Sequence, residues 1–315
     1  MRLVGEVKLG KMKEEKTKQN IKLPLIELND ASIEVLLKAG LHFGHRTQRW
    51  HPSMKEYIYT SRDGIHIIDL VKTVENLNNA IEALYQYALR GEILFVGTKQ
   101  QIKDLVKDAA VKSKSHFVVN RWPGGLLTNY MVTRKSIKKL NDYIRGFNEG
   151  IENRTKKELM DMKVELRRLD NLYGGVKNFN KRPACIVAID AKKSLIAIRE
   201  AYKMNIPVIA VVDTNSSTEM VNHVIPANDD AISSVEYILN KLVETILLAN
   251  EGKGVEYSEV NMEEIDESIQ NMSKKLEEKR LSRSVHSAEP SKGQPRVIRV
   301  SREQAKRFVK QAPKK

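Results

Sequence analysis

The chain has a single cysteine, Cys185, among its 315 residues, and no apolar run near the ~20 residues that a transmembrane helix needs. One thiol excludes intrachain disulfides and zinc clusters built from several thiolates, and it fits a reducing compartment. The first residues lack the apolar central region and the small-residue cleavage site of a secretory signal peptide. We therefore expect a soluble, cytoplasmic protein.

Acidic residues are outnumbered by basic ones. The chain has 54 Lys and Arg against 40 Asp and Glu, which gives a net charge of +14 and an isoelectric point near 9.6. An excess of this size is typical of proteins that bind a polyanion, most often nucleic acid. An anionic membrane surface is the rival partner.

The central part of the chain alternates between short β-rich runs and amphipathic helical patterns. Runs such as Ile93–Val96 and Val208–Val212 are apolar on both faces, which is typical of parallel strands covered by helices on both sides. The sequence predicts a doubly wound, mainly parallel α/β body over residues 29–129 and 178–250. Residues 1–28 are charged and without apolar periodicity, so we expect a flexible basic arm.

Residues 130–177 interrupt this alternation with a different period. The segment predicts two antiparallel helices that pack as a coiled-coil hairpin and are joined near Gly146–Gly150. It carries twelve Lys or Arg against seven Asp or Glu, so we interpret it as a basic arm that projects from the body. A self-contained, solvated hairpin is the alternative. It would explain the apolar seam between the two helices but not the excess of basic residues. Apolar residues spaced three and four apart form the seam: Ile137, Leu140, Ile144 and Phe147, then Leu159, Met162, Leu166, Leu169 and Tyr173.

Residues 251–315 lose the core pattern of the body. Residues 256–283 are charge-rich with a helical tendency, and residues 284–315 hold nine Lys or Arg against two Glu. We expect this C-terminal extension to be mostly disordered unless it is bound.

A basic, aromatic loop lies at residues 42–55. It holds three histidines, three cations and two aromatic residues, and it follows neither a helical nor a strand period. Arginine and lysine neutralise phosphates, and Trp50 or Phe43 either stacks on bases or packs beneath the loop. A metal site at the histidines is an alternative, but no sulfur or carboxylate ligand lies near them in sequence. The predicted RNA contacts in this loop are His45, Arg46, Arg49, Trp50, His51 and Lys55.

A second informative segment, RWPGGLLTNY at residues 121–130, directly precedes the predicted hairpin. Its two glycines keep the turn slim and permit left-handed backbone conformations. The turn suits a surface that lies against a sugar-phosphate chain, because it includes no nucleophile or general base. The alternative is a turn whose Trp122 packs beneath the following helix. The predicted RNA contacts are Arg121, Trp122, Asn129 and Tyr130, followed by Arg134, Lys135 and Lys138 in the hairpin.

Polar residues follow the predicted parallel strands, at the edge where α/β sheets usually place their sites. Lys99 and Lys103 come after the first of these strands without a Walker loop or a dinucleotide fingerprint, and we expect them to meet an RNA phosphate. Asp190 and Asp213 each end an apolar strand. They are candidate ligands for Mg²⁺ or a related hard cation, although capping and loop hydrogen bonds are the alternative use.

Two other functions stay open on the residues alone. An enzyme that depends on a nucleotide or a metal would use Asp190 and Asp213, but no catalytic set accompanies them. A basic adaptor would bind protein partners or anionic lipid through its terminal arms.

Ordered motifs from about Ser32 to Asn250 resemble the bacterial small-subunit ribosomal protein S2 family. The Gly124-Gly125 pair looks bacterial, and the predicted hairpin lies where the family has its insertion. The motifs are Ala39–His45 (AGLHFGH), Arg49–Met54 (RWHPSM), Gly64–Leu70 (GIHIIDL), Leu94–Lys99 (LFVGTK), the Arg121–Asn129 turn and Ile225–Ala231 (IPANDDA).

The resemblance implies a non-enzymatic constituent of the small ribosomal subunit with a flavodoxin-like sheet and a hairpin that extends over rRNA. It implies binding to 16S rRNA, contact with neighbouring small-subunit proteins and help in docking ribosomal protein S1. No cofactor, membrane or DNA is required. The one bound group that the residues themselves suggest is a divalent cation such as Mg²⁺ at Asp190 and Asp213.

Three departures from the family pattern limit the inference. Pro123 stands where Leu is common, which stiffens the turn. Ser216-Ser217-Thr218 replaces the usual Asp-Pro after Val212–Asn215, which weakens a metal site at Asp213. The terminal arms lie outside the common family core, so nothing about them is inherited.

Overall fold

The structure is a computed structural model that describes residues 22–150, 154–251 and 253–286. Its helices are α1 (Asp30–Ala39), α2 (Leu70–Arg90), α3 (Lys103–Lys112), α4 (Tyr130–Glu149), α5 (Lys156–Tyr173), α6 (Leu195–Lys203), α7 (Ile232–Asn250) and α8 (Met262–His286). Its strands are β1 (Phe43–Arg46), β2 (Ile58–Arg62), β3 (Ile65–Ile68), β4 (Ile93–Val96), β5 (His116–Val118), β6 (Cys185–Ala188), β7 (Val208–Val212) and β8 (His223–Pro226). Short 3₁₀ helices cover Thr47–Arg49, Pro52–Tyr57 and Gly174–Val176.

The body is built on a five-stranded sheet with the order β5-β4-β6-β7-β8, and all of its strand pairs are parallel. The chain order reverses between β4 and β6, which is the flavodoxin-like arrangement. The predicted doubly wound parallel body is therefore confirmed, and the carboxyl ends of its strands form one edge.

Each face of this sheet has its own core, because successive side chains of a strand point to opposite sides. Ile93 and Phe95 of β4 join the core beneath α2, α3 and α7. Leu94 and Val96 join the core beneath α6 and the 121–130 turn. Cys185 lies in the first core, where burial raises the pKa of its thiol, so it is an inert apolar group.

A second, antiparallel sheet with the order β1-β3-β2 packs beside the body. The predicted loop at residues 42–55 is wrong at its start, because Phe43–Arg46 forms the strand β1. The segment is extended because it packs against the end of β7. Gly44 approaches the end of β7 so closely that a Cβ there would lie 2.6 Å from Thr214 Cγ2. Tertiary contact rather than sequence period therefore holds β1 extended. We call this unit the small sheet.

The helices α4 and α5 pack on each other within residues 130–177, where the sequence predicts a coiled-coil hairpin, and we call them the helix pair. Leu140, Phe147, Leu159 and Leu166 are buried between them, whereas Ile137 belongs to the core of the body. The helix α4 continues through the predicted joint and ends at Gly150, which has a left-handed φ of 87°.

The helix α8 lies in the extension that we expected to be mostly disordered. Its Ile265 and Ile269 are each only 4% exposed, because they pack on the apolar seam of the helix pair. The helix pair is thus part of a three-helix cluster rather than a free-standing two-helix hairpin. Most of the predicted N-terminal arm and residues 287–315 of the basic tail lie outside the described residues. None of the helices described combines the length and the apolar character needed to cross a bilayer.

Candidate nucleic-acid interface

The loop after β1 presents its cations to solvent. Arg46, Arg49 and Lys55 are exposed, and none of them makes an ion pair with a described residue. Trp50 is 40% exposed, with its ring centroid 5.7 Å from that of His66. His51 has a structural role, because its backbone N–H donates to Thr214 O at 2.7 Å and its Nδ1 lies 2.7 Å from Ser53 Oγ.

His45 points away from the loop surface and towards the carboxyl edge of the parallel sheet. Its Nδ1 lies 2.9 Å from Asp213 Oδ2 and its Nε2 lies 3.4 Å from Asp230 Oδ2. The Asp213 contact lacks the alignment of a good hydrogen bond, so we treat it as a charge interaction. The Asp213 carboxylate raises the pKa of His45 against the opposite effect of burial. Both ring nitrogens of His45 therefore face carboxylates, and its predicted RNA contact stays a prediction.

Lys99 also lies within this edge, not on the outer surface. Only 9% of it is exposed, and its Nζ donates to Asp229 Oδ1 and to the Asp229 carbonyl at 3.0 Å each. A second ion pair joins it to Asp230. Burial alone would lower the pKa of Lys99, but Asp230 and Asp229 outweigh it and raise it. A phosphate could reach this ammonium only by displacing the carboxylates, and the predicted phosphate contact at Lys99 stays a prediction.

The pKa values of Asp229 and Asp230, which both contact Lys99, shift in opposite directions. Burial, followed by the charges of Asp190 and Asp213, raises the pKa of Asp229 to about 7. Burial would also raise the pKa of Asp230, but its contacts with Lys99 prevail and lower it. The edge therefore concentrates negative charge in a partly buried place, with Lys99 and His45 as its counter-charges.

Four of these residues have the spacing of metal ligands. One ligand atom each of His45, Asp213, Asp229 and Asp230 lie within 4.8 Å of one another. Asp213 was among the predicted ligands, but its predicted companion Asp190 is not in this group. Asp190 instead accepts a hydrogen bond from Lys193 N at 2.8 Å, which is the loop role that the sequence left open.

The 121–130 turn is held by a carboxylate that the sequence reading missed. Glu200 of α6 is 8% exposed and accepts five hydrogen bonds from the turn, at 2.7–3.3 Å. The donors are Trp122 Nε1, the backbone N–H groups of Gly125, Leu127 and Thr128, and the Thr128 hydroxyl. Burial would raise the pKa of Glu200, but these donors outweigh it and lower it.

Trp122 is 7% exposed and belongs to the core beneath the turn. The packing alternative therefore describes it, and a role as a stacking surface is wrong. Gly125 has a left-handed φ of +84°, which favours glycine, whereas a Cβ added at Gly124 would meet no atom within 4 Å. Only the second glycine is therefore required by the backbone. Tyr130 donates its hydroxyl to Phe179 O at 2.9 Å. The turn is thus a packed joint between the body and α4.

The first turns of α4 carry three free cations close together. Arg134, Lys135 and Lys138 are exposed and make no ion pair with a described residue. Arg121 and Asn129 are exposed at the joint below them, and Lys103 is half-buried at the start of α3.

Other lysines are already engaged by the extension. Lys107 pairs with Glu259, and Lys163 pairs with Asp266. Lys177 Nζ donates to Ser258 Oγ at 3.1 Å and lies 4.8 Å from the centre of the Tyr257 ring. The extension therefore covers one basic side of the cluster and leaves the α4 cations open.

The buried role of Glu200 could have been predicted from the sequence. It is the one acid within the apolar face of α6, between Ala197, Ile198 and Ala201. A carboxylate in such a place needs donors from elsewhere in the fold. The contacts that draw Lys99 and His45 inward had no comparable signal, because each joins residues far apart in the chain.

The chain also matches a known protein family. The family model described as Ribosomal protein S2 matches residues 36–249, which is more than half of the chain.

Proposed function

Because the chain belongs to the ribosomal protein S2 family, we propose that it binds small-subunit rRNA through two basic surfaces and so supports assembly of the subunit. Family membership itself gives the coarser statement, that this is a small-subunit ribosomal protein. The observation that carries the finer proposal is the division of the lysines and arginines into engaged and open groups. Two groups of exposed cations without an ion pair in the described part of the chain carry the proposal: Arg46, Arg49 and Lys55 near the small sheet, and Arg134, Lys135 and Lys138 on α4.

The first surface is the loop after β1. Its cations stand on a strand end and on short 3₁₀ turns that Gly44 and His51 anchor to Thr214. The backbone beneath the charges is therefore fixed before RNA arrives, which reduces the entropy that binding must overcome. Contacts of this kind position a protein on RNA without reading base identity.

The second surface is the side of α4 that carries the open cations. Lys138 lies four residues after Arg134 and three after Lys135, so it neighbours both of them on one side of the helix. The acidic part of the extension occupies Lys163 and Lys107 instead. We infer that α4 faces rRNA and that the side covered by the extension does not.

The joint between the body and α4 is the turn that Glu200 holds. Its five hydrogen bonds fix where α4 leaves the body. Arg121 and Asn129 are exposed at this joint, and we propose that they contact the same RNA. Lys103 remains a proposed contact at the nearby sheet edge.

Docking of ribosomal protein S1 belongs to the same proposal, with 16S rRNA and neighbouring small-subunit proteins as the other partners. Its support is the resemblance of the motifs between Ser32 and Asn250. Subunits that lack this chain should then retain less S1 after sedimentation. Equal retention with and without the chain would contradict the docking role.

We also propose a divalent cation site at His45, Asp213, Asp229 and Asp230, supported by their mutual spacing. A cation bound there would replace the Lys99 ammonium as the counter-charge of Asp229 and Asp230. One imidazole with three carboxylates fits Zn²⁺ or Mn²⁺ better than Mg²⁺, which prefers oxygen ligands alone. Metal analysis of the dialysed protein should find more Zn or Mn than in Asp213→Asn. Equal metal content of the two proteins would contradict the site.

Charge reversal on α4 tests the main proposal. The variant Arg134→Glu/Lys135→Glu should incorporate poorly into small subunits in a competition with the unmodified chain, as seen by sedimentation. The matched control is Lys274→Glu/Lys275→Glu, which reverses two adjacent exposed lysines on α8. Equal losses would show that net charge alone matters, and unchanged incorporation of the α4 variant would remove that helix from the RNA interface.

A further inference from the structure

The outer face of the small sheet carries two rows of side chains across its three strands. Backbone pairing places Arg46 and Arg62 on either side of Ile65 in one row. It places Phe43 and Thr60 on either side of Ile67 in the next. Directly opposed residues of antiparallel strands share a face, so apolar side chains lie beside two guanidinium groups.

This face is open to solvent. Phe43 is 49% exposed and Ile65 is 36% exposed, whereas Ile68 on the opposite side of β3 is 1% exposed. Tyr59, at an irregularity in the pairing of β2, is 76% exposed. Single exposed apolar residues are ordinary, but several grouped on one small sheet mark a binding surface.

The two arginines beside these apolar residues indicate which kind of partner binds. Arg46 has no ion pair with a described residue, and Arg62 meets only Asp63, at 3.8 Å with both side chains at least 85% exposed. A protein segment would cover the apolar centre, but it would have to bring acids for both arginines. A single strand of RNA offers bases and phosphates in alternation, so it satisfies both kinds of group at once.

We propose that this face is a stacking platform for unpaired bases of single-stranded RNA. Phe43 takes a base, and Arg46 and Arg62 take the adjoining phosphates. The inference rests on the proposed rRNA-binding function and names the class of RNA. A duplex is excluded as the ligand, because its bases are stacked inside and it presents mainly sugar and phosphate.

The test compares two oligoribonucleotides of about twelve residues, a length that covers a single-strand platform. One is oligoadenylate, and the other is an abasic strand with the same phosphates. Fluorescence anisotropy with the full chain should show tighter binding of oligoadenylate. The variant Phe43→Ala should bind oligoadenylate on the order of tenfold more weakly, as expected for one lost stacking contact, while its binding to the abasic strand stays unchanged.

The control is Tyr202→Ala, which removes a ring that is 62% exposed on α6, outside the small sheet. It should leave both affinities unchanged. Arg46→Gln/Arg62→Gln should weaken both oligomers alike, because it removes phosphate contacts.

Equal binding of oligoadenylate and the abasic strand by the unmodified chain would overturn the platform but leave phosphate binding intact. The same result is expected if the face is made for a protein segment. An equal loss in Phe43→Ala and Tyr202→Ala would also overturn it. Failure of both oligomers to bind would contradict the proposed RNA-binding function itself.

Discussion

Replacing Glu200 with Gln should loosen the joint between the body and the helix pair. The substitution keeps the size and shape of the side chain but removes its charge. A glutamine has one acceptor oxygen and one donor nitrogen. The donor nitrogen would face two or three of the N–H and O–H groups that now point at the carboxylate.

The loss of stability in Glu200→Gln comes from the hydrogen-bond donors that are left without an acceptor. The N–H groups of Leu127 and Trp122 are buried, and a buried donor that loses its acceptor costs about 1–3 kcal/mol. Neighbouring bonds are not additive, so we expect a loss of about 2–4 kcal/mol in the free energy of unfolding for the whole change.

The pH dependence has a defined sign. The folded-state pKa of Glu200 is lowered from its ordinary value. Its stabilising effect is therefore present above the unfolded-state pKa and is lost as the pH falls through the lower, folded-state pKa. Below pH of about 4, the difference between the original chain and Glu200→Gln should shrink, because the original carboxyl becomes protonated too.

Urea denaturation followed by circular dichroism measures this difference at several pH values. The matched control is Glu244→Gln on α7, whose side chain is 55% exposed and lies 3.7 Å from Lys241. It should change the free energy of unfolding by less than about 0.5 kcal/mol. Equal stabilities of the two variants at neutral pH would refute the role given to Glu200.

Three other substitutions test neighbouring parts of the structure. Gly125→Ala should lower the free energy of unfolding by about 1–2 kcal/mol because of its left-handed backbone, whereas Gly124→Ala should be nearly neutral in the same urea assay; equal effects would contradict this. Gly44→Ala should cost about 1–3 kcal/mol, since the new Cβ would meet Thr214, and an unchanged urea midpoint would refute the close docking of β1. Ile269→Ala should cost about 2–4 kcal/mol and speed proteolysis within α8, and unchanged proteolysis would mean that α8 does not depend on the helix pair.

Local patterns in the sequence were sufficient to predict the parallel body. The strands β4 and β7 are continuous apolar runs, and α2 has a clear apolar stripe. The seam of the helix pair was predictable for the same reason, because Leu140, Leu159 and Leu166 follow a helical period.

Contacts between distant residues were not predictable in this way. The strand β1 exists because Gly44 fits against Thr214, about 170 positions later. Lys99 looked available for phosphate until the fold placed Asp229 and Asp230 beside it. Helix α8 has little apolar periodicity of its own, and it is ordered through Ile265 and Ile269 against a surface built by other segments.

A map of the small ribosomal subunit with this chain bound tests the central claim most directly. The proposal predicts that Arg134, Lys135 and Lys138 of α4, and Arg46 and Arg49 of the loop, lie within about 4 Å of rRNA phosphate oxygens, the distance of an ion pair. The side covered by α8 should face away from rRNA. A map in which the α4 cations point into solvent, while α8 lies against the RNA, would contradict it.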